Sequence, residues 1–184
     1  MTNLSNLVNT SGIQLSDAFV VIITTEWNSQ IVYKLEEGCI KILKNSGVQY
    51  KVITVPGALE IPFAIHKYWQ TIKETEEEDL LDEDFLLEIK ELDKFTPKKI
   101  VYPSAFIALG CVIKGDTPHF DYVCAGVTQG IANLNTQLPV PSIFGVLTVN
   151  TNAQAEERLG GINGHKGEEA ATAAIKMINL YRSF

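Results

Sequence analysis

The chain has 184 residues, with 22 acidic side chains against 15 basic ones and a formal net charge of −7. The length suits one domain of about 150–200 residues. The 46% apolar content excludes disorder, no apolar run approaches the roughly 18–20 residues of a membrane span, and the acidic balance excludes a general nucleic-acid binder.

In chain order, Ala18 to Thr24 is a continuous β-branched, apolar run and predicts a strand buried on both faces. A helix over Ser29 to Asn45 follows, with Ile31, Leu35, Cys39 and Ile42 on one stripe and Gly47 as its stop. Tyr50 to Val55 reads as a second strand. The next helix, from Leu59 to Ile72, has Pro62 in its first turn, where the missing N–H costs little. Residues 74–94 hold 11 of the 22 acidic groups and 2 of the 15 basic ones, so this segment carries −9 and the rest of the chain +2. Leu81, Phe85, Ile89 and Leu92 recur there at helical spacing. The segment reads as an acidic helical insertion at about 74–98, closed off by Thr96-Pro97. A strand at Ala105 to Leu109, a helix from Pro118 to Asn135, a strand at Ser142 to Leu147 and helical pieces over 152–159 and 166–182 complete the chain. Four β-then-α units in succession predict an α/β fold, a four-stranded parallel sheet between two layers of helices. The N-terminus has no basic start followed by an apolar stretch, so no secretory signal is expected. Cys39, Cys111 and Cys124 form no CxxC pair and read as free thiols of a reducing, cytoplasmic compartment.

In open parallel sheets, ligands bind beyond the carboxyl ends of the strands. Four loops fall there: Thr25 to Asn28, Pro56 to Glu60, Cys111 to Phe120, and Thr148 to Thr151. Trp27 either stacks on a planar heterocycle or covers the core. Glu60 is a carboxylate favoured by a helix dipole, or an acceptor for polyol hydroxyls. Thr117 and Pro118 read as the N-cap and first residue of a helix. Such a start is either an ordinary cap or an anion site suited to phosphate. His119 in the first turn is a surface residue or a proton-transfer group. Thr151 with Gln154 fits a capping box. Arg158 is a charge at a helix end, or a bidentate phosphate holder. Taken singly, none of these signals is specific.

Together they are. The stretches VPGALEIP at 55–62, ALGCVIKGDTPHFDYV at 108–123, and PSIFGVLTVNTNAQAEERLGGINGHKGEEAATAAIKM at 141–177 resemble the signature regions of the 6,7-dimethyl-8-ribityllumazine synthase family. The resemblance implies a single flavodoxin-like domain over 1–184. It implies condensation of 5-amino-6-(D-ribitylamino)uracil with 3,4-dihydroxy-2-butanone 4-phosphate, releasing phosphate and water, in the penultimate step of riboflavin biosynthesis, with no metal or organic cofactor. Carried over, it assigns Trp27 to stacking on the pyrimidine. Ala58, Leu59 and Glu60 go to the ribityl chain and ring edge, and Cys111, Val112, Ile113 and Phe144 to the pyrimidine pocket. Asp116, Thr117 and Arg158 go to the phosphate, Lys166 to positive charge near the substrates, and His119 to proton transfer. Leu59 departs from the family's usual aromatic, Lys114 from Arg, His165 from Asn, and Trp27 from the commoner Phe.

The resemblance also implies homopentamers with active sites shared between neighbouring subunits, and riboflavin synthase as a partner. The short Gly160–Gly167 segment accompanies 60-subunit shells in this family, whereas the acidic insertion would add repulsion between pentamers. Two other readings use the same fold: an archaeal-type riboflavin synthase, disfavoured by the phosphate set, and a non-catalytic flavin carrier, disfavoured by an intact His119.

Overall fold

The computed structural model describes residues 15–81 and 101–184. Its strands are β1 (Phe19–Thr25), β2 (Gln49–Val55), β3 (Ala105–Ile113) and β4 (Ser142–Val149). They form one all-parallel sheet in the order β2-β1-β3-β4. Helices α1 (Ser29–Asn45), α2 (Ile61–Leu81), α3 (His119–Gln137) and α5 (Lys166–Tyr181) connect or follow the strands, with a short α4 (Asn152–Glu156) after β4.

The period-two alternation of β1 builds both layers. Val20 and Ile22 pack with α1 and α5. Val21 and Ile23 face the other way, against Ile61, Ile65 and Trp69 of α2 and Val127, Ile131 and Leu134 of α3. All four β1 side chains are fully buried, and each such aliphatic burial stabilises by about 1.5–3 kcal/mol. This explains why the run reads as continuously apolar rather than alternating. Helices α1 and α5 approach closely at Gly167, where a Cβ would stand 1.9 Å from the Leu35 carbonyl oxygen.

The fold class agrees with expectation, but several boundaries move. β3 runs four residues past Leu109 because β4 pairs with it as far as Ile113 opposite Val149. Cys111, Val112 and Ile113 therefore belong to a strand, not a loop. Helix α2 continues without a break through 72 to Leu81, since no Gly or Pro interrupts it. The acidic run thus begins as an extension of α2, and the part of the expected insertion helix carrying Phe85, Ile89 and Leu92 lies outside the described residues. The helical piece expected over 152–159 stops at Glu156. An antiparallel pair follows, β5 (Leu159–Gly161) with β6 (Gly164–His165), whose glycines at 160 and 164 take positive φ. Two- and three-residue strands carry too little periodicity to be read from sequence.

Candidate functional site

The sheet order reverses between β1 and β3, which defines the switch-point crevice. β1 pairs with β3 only as far as Ile23 opposite Ala108, while its last residues, Thr24 and Thr25, pair with β2 alone. Beyond Ala108, the β1-facing backbone edge of β3 therefore has no strand partner; it carries the N–H and C=O groups of Cys111 and Ile113, whereas those of Val112 point toward β4.

The loop after β1 is fastened across that crevice. Glu26 N–H donates to Val55 O at 3.0 Å and Trp27 N–H to Pro56 O at 3.4 Å, so the β1 and β2 loops stay side by side. Thr25 Oγ1 donates to Trp27 O at 3.3 Å. Asn28 takes φ 56°, the positive-φ non-glycine of the described residues, and its Nδ2 donates to Cys111 O at 2.8 Å. Asn tolerates the left-handed region better than other side chains. Trp27 is thereby held out of the core at 73% exposure, so the core-covering reading of this residue is excluded. It lies against the next loop: a Cβ on Gly57 would sit 3.6 Å from Trp27 Cδ1 and 2.9 Å from Glu60 Oε2. Ala58, Leu59 and Glu60 form one 3₁₀ turn leading into α2. Leu59 leans on α3 at Gly126, where a Cβ would meet it at 2.7 Å, and is otherwise about half exposed.

His119, exposed, opens α3, and Asp116 and Thr117 immediately before it are also exposed. The expected Thr117 side-chain cap is absent. Pro118 takes αR angles and its carbonyl accepts from Asp121 and Tyr122 N–H, so α3 begins without a side-chain cap. A helix start of this kind leaves early N–H groups and the positive end of the dipole facing the loop. Cys111 is buried, and burial pushes its thiol up to about 11. The thiol is neutral at physiological pH and contributes packing, while the residue's backbone faces the crevice. Phe144 sits on β4, packed against the α2–α3 side of the sheet.

Arg158 and Lys166 are not brought to these residues. They lie on the opposite face, where β5 follows α4 and packs with α1 and α5. Arg158 meets Glu169 as a fork, Nη1 to Oε1 at 3.0 Å and Nη2 to Oε2 at 2.7 Å, and Nη1 also donates to Asn163 O. Lys166 Nζ stands 3.9 Å from Glu169 Oε2. Burial holds its ammonium below the ordinary lysine value, an effect that Glu169 opposes and the Arg158 cation reinforces. The Thr151 cap is present, Gln154 N–H donating to Thr151 Oγ1 at 3.2 Å, but the reciprocal half of the expected box is shifted by one residue: Gln154 Oε1 accepts at 2.8 Å from Asn150 N–H rather than from Thr151 N–H. His165 caps α5, its Nδ1 accepting from Glu168 N–H at 3.4 Å. Among the described residues, no group of His, Cys, Asp and Glu is arranged to hold a metal ion, and no helix is long and apolar enough to cross a membrane.

Sequence reasoning missed two residues at these places. Asn28 carried a signal, being an Asn in a tight loop after a buried strand. Glu169 carried none, because its pairing with Arg158 spans eleven residues and depends on the unforeseen β5–β6 turn.

Comparison with known proteins gives this geometry its context. The family model for 6,7-dimethyl-8-ribityllumazine synthase matches residues 17–80 and 85–182. The chain belongs to the 6,7-dimethyl-8-ribityllumazine synthase family. A relative of that name from Parabacteroides distasonis is 42% identical over 181 residues, covering 97% of this chain and 95% of its own. Another from Bacteroides fragilis is 42% identical over 162 residues, 86% of this chain and 93% of its own. One from Bdellovibrio bacteriovorus is 36% identical over 162 residues, 88% and 74% respectively. The chain is an enzyme of this transferase family. Its reaction is the one the motifs implied, the lumazine-forming condensation of riboflavin biosynthesis.

Proposed function

We propose that the chain carries out this condensation at a site built from two half-sites on neighbouring subunits. The observation that carries the reading is the strand-free backbone edge at Cys111 and Ile113, where Asn28 takes the Cys111 carbonyl and the Cys111 N–H and the Ile113 backbone have no strand beside them, flanked by Trp27, by the Ala58–Glu60 turn and by the helix start bearing His119. A planar pyrimidine stacks on exposed Trp27 while its amide edge bonds to the β3 backbone at Cys111 N–H and Ile113, and Glu60 accepts from the ribityl hydroxyls. Asp116 and Thr117, at the uncapped start of α3, receive the phosphate group.

His119 serves proton transfer. The ring amine attacks the ketone carbon, and water leaves to give an imine. A proton is taken from C3, the phosphate leaves from C4, two carbons from the imine, and the resulting enol becomes a ketone at C3; the second amine attacks that ketone and a second water leaves as the ring closes. Every step moves a proton, which one near-neutral imidazole can relay. Holding two substrates together supplies much of the acceleration, because the reaction is otherwise bimolecular.

Arg158, Lys166 and Phe144 complete the site from the next subunit of a pentamer. Two features support this: the separation of Arg158 and Lys166 from His119 within one chain, and the exposure of Trp27, Phe63 (71%) and Tyr122 (74%) around the first half-site. Either a free pentamer or a 60-subunit shell is compatible with this arrangement, and light scattering at several salt concentrations distinguishes them. We read residues 1–184 as one domain acting in the cytoplasm, in keeping with three unpaired cysteines, with riboflavin synthase consuming the product. The described start of the acidic run, the end of α2, lies away from the chemistry: α2 starts at the catalytic edge, and its 21 residues extend about 30 Å.

The test is to mix purified protein with both substrates and follow lumazine absorbance and phosphate release together. Equimolar release is expected. Product without phosphate, or no product, contradicts the assignment.

A further inference from the structure

An arginine that binds phosphate well presents two parallel N–H groups from one edge of its planar guanidinium. The group has five N–H donors in fixed directions. In this structure three of them are committed. Glu169 occupies the end edge, taking one hydrogen from Nη1 at 3.0 Å and one from Nη2 at 2.7 Å. Asn163 O takes the other Nη1 hydrogen. The donors left without a partner among the described residues are Nε–H and the outer Nη2–H. These two lie side by side and form one bidentate edge. The pair is partly buried, with 23% of the Arg158 side chain and 14% of the Glu169 side chain exposed, so the plane is set by protein contacts more than by solvent. Glu169 itself is fixed in the first turn of α5, next to Gly167, where α5 is pressed against the α1 backbone.

We infer that Glu169 is a positioning residue for the phosphorylated substrate: it takes the end edge of the Arg158 guanidinium and so turns the remaining Nε–Nη2 edge toward the phosphate. The inference rests on the reading of Arg158 as a phosphate holder. Glu169 also reduces the local charge. Arg158 and Lys166 sum to +2, and the carboxylate leaves +1. A carboxylate that acted only as a charge screen would weaken phosphate binding, whereas one that aims the fork strengthens it. The two roles therefore predict opposite signs for the same substitution.

The experiment uses the full-length protein and steady-state kinetics with each substrate varied in turn. Glu169→Gln keeps the shape, removes the charge and sets an amide N–H against a guanidinium N–H. The expected result is a KM for the butanone phosphate raised roughly tenfold or more, the loss associated with one charge-assisted hydrogen bond. The KM for the ribitylaminouracil should stay within about twofold. In an Arg158→Ala background the same substitution should add nothing further to the phosphate-substrate KM, since Glu169 acts through Arg158. If Glu169→Gln is not recovered folded, Glu169→Asp, too short to span both nitrogens, is read in the same way and should raise that KM by a smaller factor.

A lowered KM, or tighter inhibition by inorganic phosphate, would overturn the inference in favour of charge screening. An unchanged KM in the Glu169 variants, with a raised one in Arg158→Ala, would overturn the inference alone. An unchanged KM in Arg158→Ala would remove the phosphate role of Arg158 and the inference with it.

Discussion

Replacing Gly167 by Ala tests how the α1–α5 contact supports the second half-site. A Cβ at this position would stand 1.9 Å from Leu35 O, 2.8 Å from Leu35 C and 3.1 Å from Leu35 Cα. Real Cβ contacts essentially never fall below 3.0 Å, so the helices must part by about 1 Å. The obstructing atoms belong to helical backbone, which cannot rotate aside like a side-chain tip. Overpacking of this kind typically costs 1–3 kcal/mol, and a backbone obstacle places Gly167→Ala near the upper end, at about 3 kcal/mol. For a domain of this size that corresponds to a fall in Tm of roughly 6–12 °C. Lys166 and Glu169 flank the substituted position, so the shift also moves the partners of Arg158. Calorimetry and steady-state kinetics on the same preparation would show a lowered Tm together with a raised KM for the phosphorylated substrate. A variant with wild-type Tm and KM would refute the claim that this contact is tight and that it positions the Arg158 cluster.

His119→Ala should slow turnover by roughly a hundredfold, the lower range for loss of a positioned acid–base group, while leaving measurable lumazine formation from substrate positioning alone. Asn28→Gly keeps the left-handed backbone but loses the bond to Cys111 O. It should raise the KM for the ribitylaminouracil severalfold and alter Trp27 fluorescence, which Asn28→Asp, with no donor to offer, should do as well. The Cys111 thiol is buried neutral, with its pKa raised from 9.0 to about 11, and burial raises that of Cys39 too. A raised folded-state pKa contributes stability that is complete below the unfolded value and lost as pH rises through the folded one. The urea midpoint should therefore be level to about pH 9 and fall toward pH 11, and Cys111→Ala should flatten part of that fall.

What the chain revealed before its structure depended on how far each signal travels. The apolar runs of β1 and β4 and the stripe of α1 are local patterns, and they predicted the layers correctly. The extent of β3 was not local: Cys111 to Ile113 become strand because β4 lies beside them. Trp27 was ambiguous in sequence, since an aromatic in a loop serves core or surface equally well. Its exposure follows only from Asn28 and Thr25 holding its backbone outward. The site residues at the carboxyl edge were legible because parallel topology sends all four loops to one edge. The pairing of Arg158 with Glu169 was not, because it requires a hairpin of only two residue pairs that no periodicity marks.

Complementation tests whether His119 and Arg158 serve one site from different subunits. His119→Ala and Arg158→Ala chains are purified separately, dissociated, mixed in equal amounts and reassembled, and lumazine formation is compared with that of each variant alone. Random mixing of subunits in a ring restores roughly a quarter of the sites with both side chains intact. A site shared between subunits should recover about that fraction of wild-type activity. Activity no greater than the mean of the two variants, in assemblies shown to be mixed, would contradict it.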